Sequence, residues 1–207
     1  MEADYDLVPT RQTLLSRLRD LDNQESWMEF FETYSSLIYH TAIKAGLEPV
    51  EAQDVVQETV IAVARSLPGF KYDRKLGSFK TWLLNMTHWR IKDQRRKRRP
   101  GERVAREVND AARQAELEEI ADPARPAMDL IWNEEWEKNV AQVAIERVKR
   151  KVDPKQFQVF ELYVLQSWPA TRIVDTFKLN SAQIYLIKHR VSRLIKKEIR
   201  ALEKEHC

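Results

Sequence analysis

Residues 78–99 read SFKTWLLNMTHWRIKDQRRKRR, and the architecture turns on this stretch. Neither Gly nor Pro interrupts it, whereas Pro68-Gly69 stands before it and Pro100-Gly101 directly after it. Ser78 is a helix-capping residue type, so the stretch predicts one long helix from Phe79 to about Arg99. Trp82, Met86 and Trp89 fall at spacings of four and three, which puts them on one face. Two further helices are predicted upstream. Asn23-Gln24-Glu25-Ser26 carries start chemistry ahead of Trp27, Phe30, Phe31, Tyr34, Leu37 and Ile38, an apolar stripe at helical spacing that Gly46 closes. Pro49 suits the first turn of the next helix, which runs through Ala52, Val55, Val56, Val60 and Val63 to Leu67. Three helices around one apolar seam make a first domain, residues 1–99, with a polar loop at Phe70–Gly77.

Residues 100–128 are charged and contain Pro100, Pro123 and Pro126, the composition of a linker, with a helical reading open for Arg103–Ile120. Helical spacing resumes near Asp129 with Leu130, Ile131, Trp136, Val140, Val143 and Val148. Asp153-Pro154 opens another helix, carrying Phe157, Phe160, Val164 and Leu165, which stops before Pro169. A short helix at about 169–177, a break at Lys178-Leu179-Asn180 and a long basic helix capped by Ser181 complete a second domain, residues 129–207. The expected fold class is all-α: two small helical domains joined by a flexible acidic linker, the second containing a helix-turn-helix.

Composition agrees. Four Gly in 207 residues are too few for a β architecture that turns on Gly about every ten residues. The single cysteine, Cys207, excludes an internal disulfide framework and a Cys-based zinc site. No stretch approaches the roughly 18 consecutive apolar residues of a membrane span, and the acidic, polar start MEADYDLVPTRQ is unlike a secretory signal. A cytoplasmic protein with no membrane contact is expected. The formal net charge of +3 conceals strong segregation. Residues 1–89 carry 9 basic and 13 acidic side chains, residues 90–106 carry 9 and 2, residues 107–137 carry 2 and 10, and residues 138–207 carry 15 and 7. Two basic blocks flanking an acidic one are an interaction signal rather than a fold signal.

Two constellations point to nucleic acid. In the helix from Ser181, Ile184, Ile187, Val191 and Leu194 define an inner face, leaving Gln183, Tyr185, Lys188, His189, Ser192 and Arg193 outward, all able to touch base edges or phosphates. A helical hairpin with a solvated basic face reads the same way. In the helix from Phe79, Trp82 and Trp89 interleave with Lys92 and the run Arg95-Arg96-Lys97-Arg98-Arg99, a combination that suits stacking on unpaired bases while cations follow the backbone. Both tryptophans as core residues beside a solvated charge run is the competing reading. Asp54 and Glu58 lie one turn apart but lack further cation ligands, and the four His do not cluster. No Gly-rich phosphate loop, nucleophile elbow or HExxH occurs, so neither a catalytic constellation, a metal site nor a cofactor is expected.

Three stretches together resemble a family, the bacterial RNA polymerase sigma factors of the extracytoplasmic-function type. Asp54-Val55-Val56-Gln57-Glu58-Thr59-Val60 resembles its D-[LV]-V-Q-E-x-[FV] helix, Gly77-Ser78-Phe79-Lys80-Thr81-Trp82-Leu83 running on to Asp93-Gln94-Arg95-Arg96 resembles its S-F-x-T-W-L…D-x-x-R segment, and the C-terminal helix-turn-helix stands where the second domain belongs. The resemblance implies a non-enzymatic subunit that docks on bacterial core RNA polymerase through Asp54, Gln57 and Glu58. It implies that Lys71, Tyr72, Arg74, Lys75, Trp82, Asn85, Trp89, Lys92, Arg95 and Arg96 open and hold the single-stranded −10 element. It further implies that Ser181, Gln183, Tyr185, Lys188, His189, Arg190 and Arg193 read the duplex −35 element. The protein would then be nucleoid-associated when bound to polymerase. The linker block would act as a nucleic-acid mimic in polymerase channels or would simply be solvated; both readings stand, as does the question of an anti-sigma factor as partner. The chain departs from the family pattern at Trp89 (usually Asn), Asn85 (often Arg), Lys178 (usually Gly) and in the recognition helix, Ser-Ala-Gln-Ile-Tyr-Leu-Ile-Lys-His-Arg. A function of another class, a stand-alone dimeric helix-turn-helix regulator, would bind a palindromic duplex site without polymerase.

Overall fold

The computed structural model describes residues 14, 16–67, 78–98 and 125–204. The described residues are helical with no strand, as the all-α reading expects: α1 (Gln24–Lys44), α2 (Pro49–Ser66), α3 (Phe79–Lys97), α4 (Arg125–Lys149), α5 (Pro154–Phe160), α6 (Ala170–Phe177) and α7 (Ser181–Lys204). They form two compact units that divide between Asn139 and Val140, inside α4. The loop Phe70–Gly77 and the acidic stretch 100–124 lie outside the described residues.

The first unit is built on α1–α3, with α2 packed against both neighbours. Asn23 caps α1, its side chain accepting from the Ser26 N–H at 3.1 Å. The helix closes where the sequence places Gly46: at φ 87 its N–H donates to the Ile43 carbonyl at 2.8 Å, and the Leu47 N–H donates to the Ala42 carbonyl at 3.1 Å. That bonding pattern needs a left-handed residue, which Gly adopts without a Cβ clash. Pro49 starts α2, and the Glu48 N–H donates to the Glu51 carboxylate at 2.8 Å. Ser78 caps α3 by accepting from the Thr81 N–H at 3.3 Å. Phe30, Tyr34, Leu37, Ile38, Val55, Val63, Phe79, Leu83 and Ile91 are buried, whereas Phe31, expected on the α1 stripe, is exposed.

A fourth element completes this core. The helix expected from Asp129 begins at Arg125, with Pro126 in the first turn, where its missing N–H breaks no helical bond. Its part up to Asn139 belongs to the first unit: Met128, Trp132 and Trp136 are buried, Trp136 stacks on Tyr34 at 6.2 Å, and Asn139 donates to the Thr33 carbonyl at 2.9 Å. Lys44, at the end of α1, pairs with Glu134 at 2.8 Å and Glu135 at 2.9 Å. The hydrogen bonds to Glu134 and then Glu135 raise the Lys44 pKa further above its ordinary value.

In the second unit, Val148, Phe157, Phe160 and Val191 form one apolar cluster, and Val159, Ile173 and Ile184 a second. Asp153 caps α5, accepting from the Gln156 N–H at 3.0 Å. The sequence predicts α-helix through Leu165, but Glu161–Leu165 form a π-helical turn. The Gln166 N–H donates five residues back to Glu161 at 3.0 Å and the Trp168 N–H six back to Leu162 at 2.9 Å, with Ser167 at φ 56. Lys178, at φ 54 and ψ 44, makes the left-handed turn between α6 and α7. The cap of α7 is Asn180 rather than Ser181. The Gln183 N–H donates to Asn180 Oδ1 and the Asn180 N–H to Gln183 Oε1, both at 2.8 Å, a reciprocal box that Ser181, already helical, does not form.

Candidate nucleic-acid and partner interface

On α3, Asn85, Trp89, Lys92 and Arg96 recur at four, three and four residues and so share one face. Asn85 and Trp89 are half-buried, while Lys92, Arg95 and Arg96 are exposed. The Lys92 ammonium sits 5.0 Å from the Trp89 ring centroid, a cation–π contact that holds it over the indole. The Trp89 indole nitrogen is buried with no hydrogen-bond acceptor among the described residues. Asn85 Oδ1 accepts from Arg125 at 2.7 Å, and Arg125 is braced by Asp129 at 2.9 Å. Trp82 is only 7% exposed and lies against Phe79 at 5.5 Å, so its ring is part of the core in this state.

The basic run ending α3 is extensively paired. Arg95 donates to the Ala45 carbonyl at the end of α1, where the last carbonyls of a helix lack helical partners. Arg96 bonds Asp93 at 2.8 Å, Lys97 bonds Glu58 at 3.0 Å, and Arg98 reaches Glu51 through Nε at 2.6 Å. The Arg98 hydrogen bond is the chief cause that lowers the Glu51 carboxyl to about 2. Glu58 is therefore ion-paired within the chain, whereas Asp54 and Gln57 are exposed on the same helix. Lys71, Tyr72, Arg74 and Lys75 lie outside the described residues.

In the second unit, the inner face of α7 is as the spacing predicts: Ile184 and Val191 are buried, and Ile187 and Leu194 are half-buried. Ser181, Gln183, Tyr185, Lys188, His189, Arg190 and Arg193 are all exposed. Gln183 is engaged in the cap, so its carboxamide is oriented before any ligand arrives. Two contacts here escaped sequence reasoning. Arg172 of α6 stacks on Trp168 with its guanidinium 3.5 Å from the ring centroid, and Tyr163 of the π turn meets Tyr185 edge-on at 6.1 Å. The hydrogen bond to Tyr185, then burial, raises the Tyr163 phenol above its ordinary range. The Arg172 contact had a local signal, Trp and Arg four residues apart. The Tyr163 contact had none, because a π turn leaves no periodic mark. Among the described residues no helix is long and apolar enough to cross a membrane.

Residues 30–100 match the family model described as Sigma-70 region 2. Over that stretch, 71 of the 207 residues, the chain is similar to region 2 of the sigma-70 factors. The matched stretch runs from Phe30 in α1 through α2 and α3, and so contains every residue expected to meet polymerase or the −10 element. The residues expected at the −35 element, from Ser181 onward, lie beyond it. No curated protein matches the chain.

Proposed function

We propose that this chain is a sigma factor of the extracytoplasmic-function type that binds bacterial core RNA polymerase and directs promoter-specific initiation. The observation that carries the proposal is the sigma-70 region 2 match over helices that present an acidic α2 face beside a Trp- and Arg-bearing α3. In this reading Asp54, Gln57 and Glu58 meet the polymerase, and α3 with the preceding loop opens and holds the −10 strand. The exposed face of α7 reads the −35 duplex, braced by α6 through the left-handed turn at Lys178. The protein acts in the cytoplasm, on the nucleoid when bound to polymerase, by binding alone and without a cofactor.

The test is transcription in vitro. Added to bacterial core polymerase on templates with a randomised upstream region, the chain should give transcripts from defined start sites that share a sequence. No binding to core polymerase at low salt would overturn the proposal, as would sequence-specific duplex binding by a dimer that is indifferent to polymerase. The tryptophans refine it. Trp89→Ala should impair opening of a duplex promoter more than use of a pre-melted one, since its half-buried ring lies on the exposed basic face. Trp82→Ala should instead destabilise the first unit by about 3–5 kcal/mol, as truncation of a buried aromatic does, and so impair both templates alike.

A further inference from the structure

The π turn Glu161–Leu165 brings one side chain against the outward face of α7. Tyr163 is half-buried and packs on the Val159, Ile173 and Ile184 cluster. From that anchorage its ring meets Tyr185 edge-on at 6.1 Å, and the Lys188 ammonium lies 5.5 Å from its centroid. Tyr185 and Lys188 are three residues apart, hence neighbours on one face of α7, and both are exposed, Tyr185 by 57%. Core filling alone does not account for this, because a leucine would cover the same apolar cluster without gripping either side chain. What the phenol adds is restraint: a long lysine and an exposed tyrosine each lose rotamer freedom before binding, so less is lost on contact with a ligand. π turns recur at functional sites, and here the turn sits beside two outward side chains of α7, one of them a lysine of the type that reads guanine edges.

We propose that Tyr163 is a positioning residue for duplex reading, which fixes Tyr185 and Lys188 in the orientation that selects bases in the major groove. The inference rests on the duplex-reading role of α7 proposed above. Tyr163 itself contacts no base; it acts through the two residues it holds.

The experiment uses the full chain with bacterial core polymerase and a randomised duplex library spanning the upstream element. It compares wild type, Tyr163→Phe and Tyr163→Leu, with thermal unfolding of each. Tyr163→Leu keeps the apolar packing but loses both contacts. It should bind the wild-type-selected duplex about tenfold more weakly, the scale of one lost base contact, while binding an unrelated duplex unchanged. Its base preference should relax at one or two adjacent positions only. Tyr163→Phe keeps the ring beneath Lys188 but loses the hydroxyl, and should fall between the two. In a Tyr185→Ala, Lys188→Ala background Tyr163→Leu should add nothing. Equal losses on selected and unrelated duplexes, unchanged preference at every position, or full additivity in that background would each overturn the positioning role. A wild-type chain that gives polymerase-dependent transcripts yet selects no upstream sequence would overturn duplex reading by α7, and the role of Tyr163 with it.

Discussion

Lys178→Gly should stabilise the second unit, contrary to the usual effect of introducing glycine. Lys178 stands at φ 54 and ψ 44 and its side chain is exposed. A residue with a Cβ costs about 1–2 kcal/mol in the left-handed region. Glycine removes that cost but adds about 0.5–1 kcal/mol of unfolded-state entropy. The difference leaves the variant about 0.5–1 kcal/mol more stable. Measured by hydrogen exchange on the intact chain, amides of α6 and the first turns of α7 should exchange about two- to fivefold more slowly wherever they open with the whole unit. Amides of α1–α3 should not change. Lys178→Ala is the control. It keeps the Cβ and the strain but removes the long side chain, and should match wild type; Lys178→Asn should fall between Ala and Gly. A less stable glycine variant, or an alanine variant differing from wild type by more than about 0.5 kcal/mol, would show that the lysine side chain rather than the backbone angle holds the turn.

Glu198 is 7% exposed and accepts from Arg147 at 3.2 Å and Lys151 at 3.5 Å, so Arg147→Ala leaves a buried carboxylate with one long contact. Urea unfolding should show a loss of about 2–4 kcal/mol for that variant, larger than for Lys151→Ala. Glu51, lowered to about 2 by Arg98, contributes stability that is whole above about pH 4.5, the ordinary glutamate value, and is lost as pH falls toward 2. A carboxyl titration by NMR should find that midpoint, and Arg98→Ala should raise it toward the ordinary range, with the Glu48 N–H still holding it below. Gly46→Ala should cost about 0.5–1 kcal/mol net, the left-handed strain of about 1–2 kcal/mol less the unfolded-state entropy that alanine saves, since a Cβ there meets no atom within 4 Å. A destabilisation much beyond that range would mean that the neighbouring backbone had moved.

Helix identity was legible because it depends on spacing within one segment. The stripes Phe30–Tyr34–Leu37, Val55–Val63 and Ile184–Val191 are buried where periodicity places them, and Gly46 closes α1 as its residue type predicts. Partnership was less legible, because it depends on residues distant in sequence. Trp132 and Trp136 would look the same on any amphipathic helix, and nothing local reveals that they complete the core around Tyr34. Asn180 and Ser181 are both good capping types, and the choice between them follows from Gln183 standing three residues after Asn180. The Arg95–Arg98 run reads as a free basic patch until the fold brings in acids 39 and 47 residues earlier in the chain.

That last point alters how the candidate site is to be probed. Glu58 belongs to the face proposed to meet polymerase, and Lys97 to the run proposed to lie near melted DNA, yet the two are bonded to each other. Glu51 and Arg98 form a second such link between α2 and α3. Both pairs are at the surface, where an ion pair contributes only about 0–1 kcal/mol, so the links bias side-chain placement far more than they hold the helices together. Substituting Glu58 therefore changes two surfaces at once: it removes a carboxylate from α2 and releases an ammonium on α3. A loss of polymerase binding in Glu58→Gln identifies docking only if Lys97→Ala, which frees the carboxylate instead, leaves docking intact. Asp54 and Gln57, exposed on the same helix, give the cleaner measure of the α2 face.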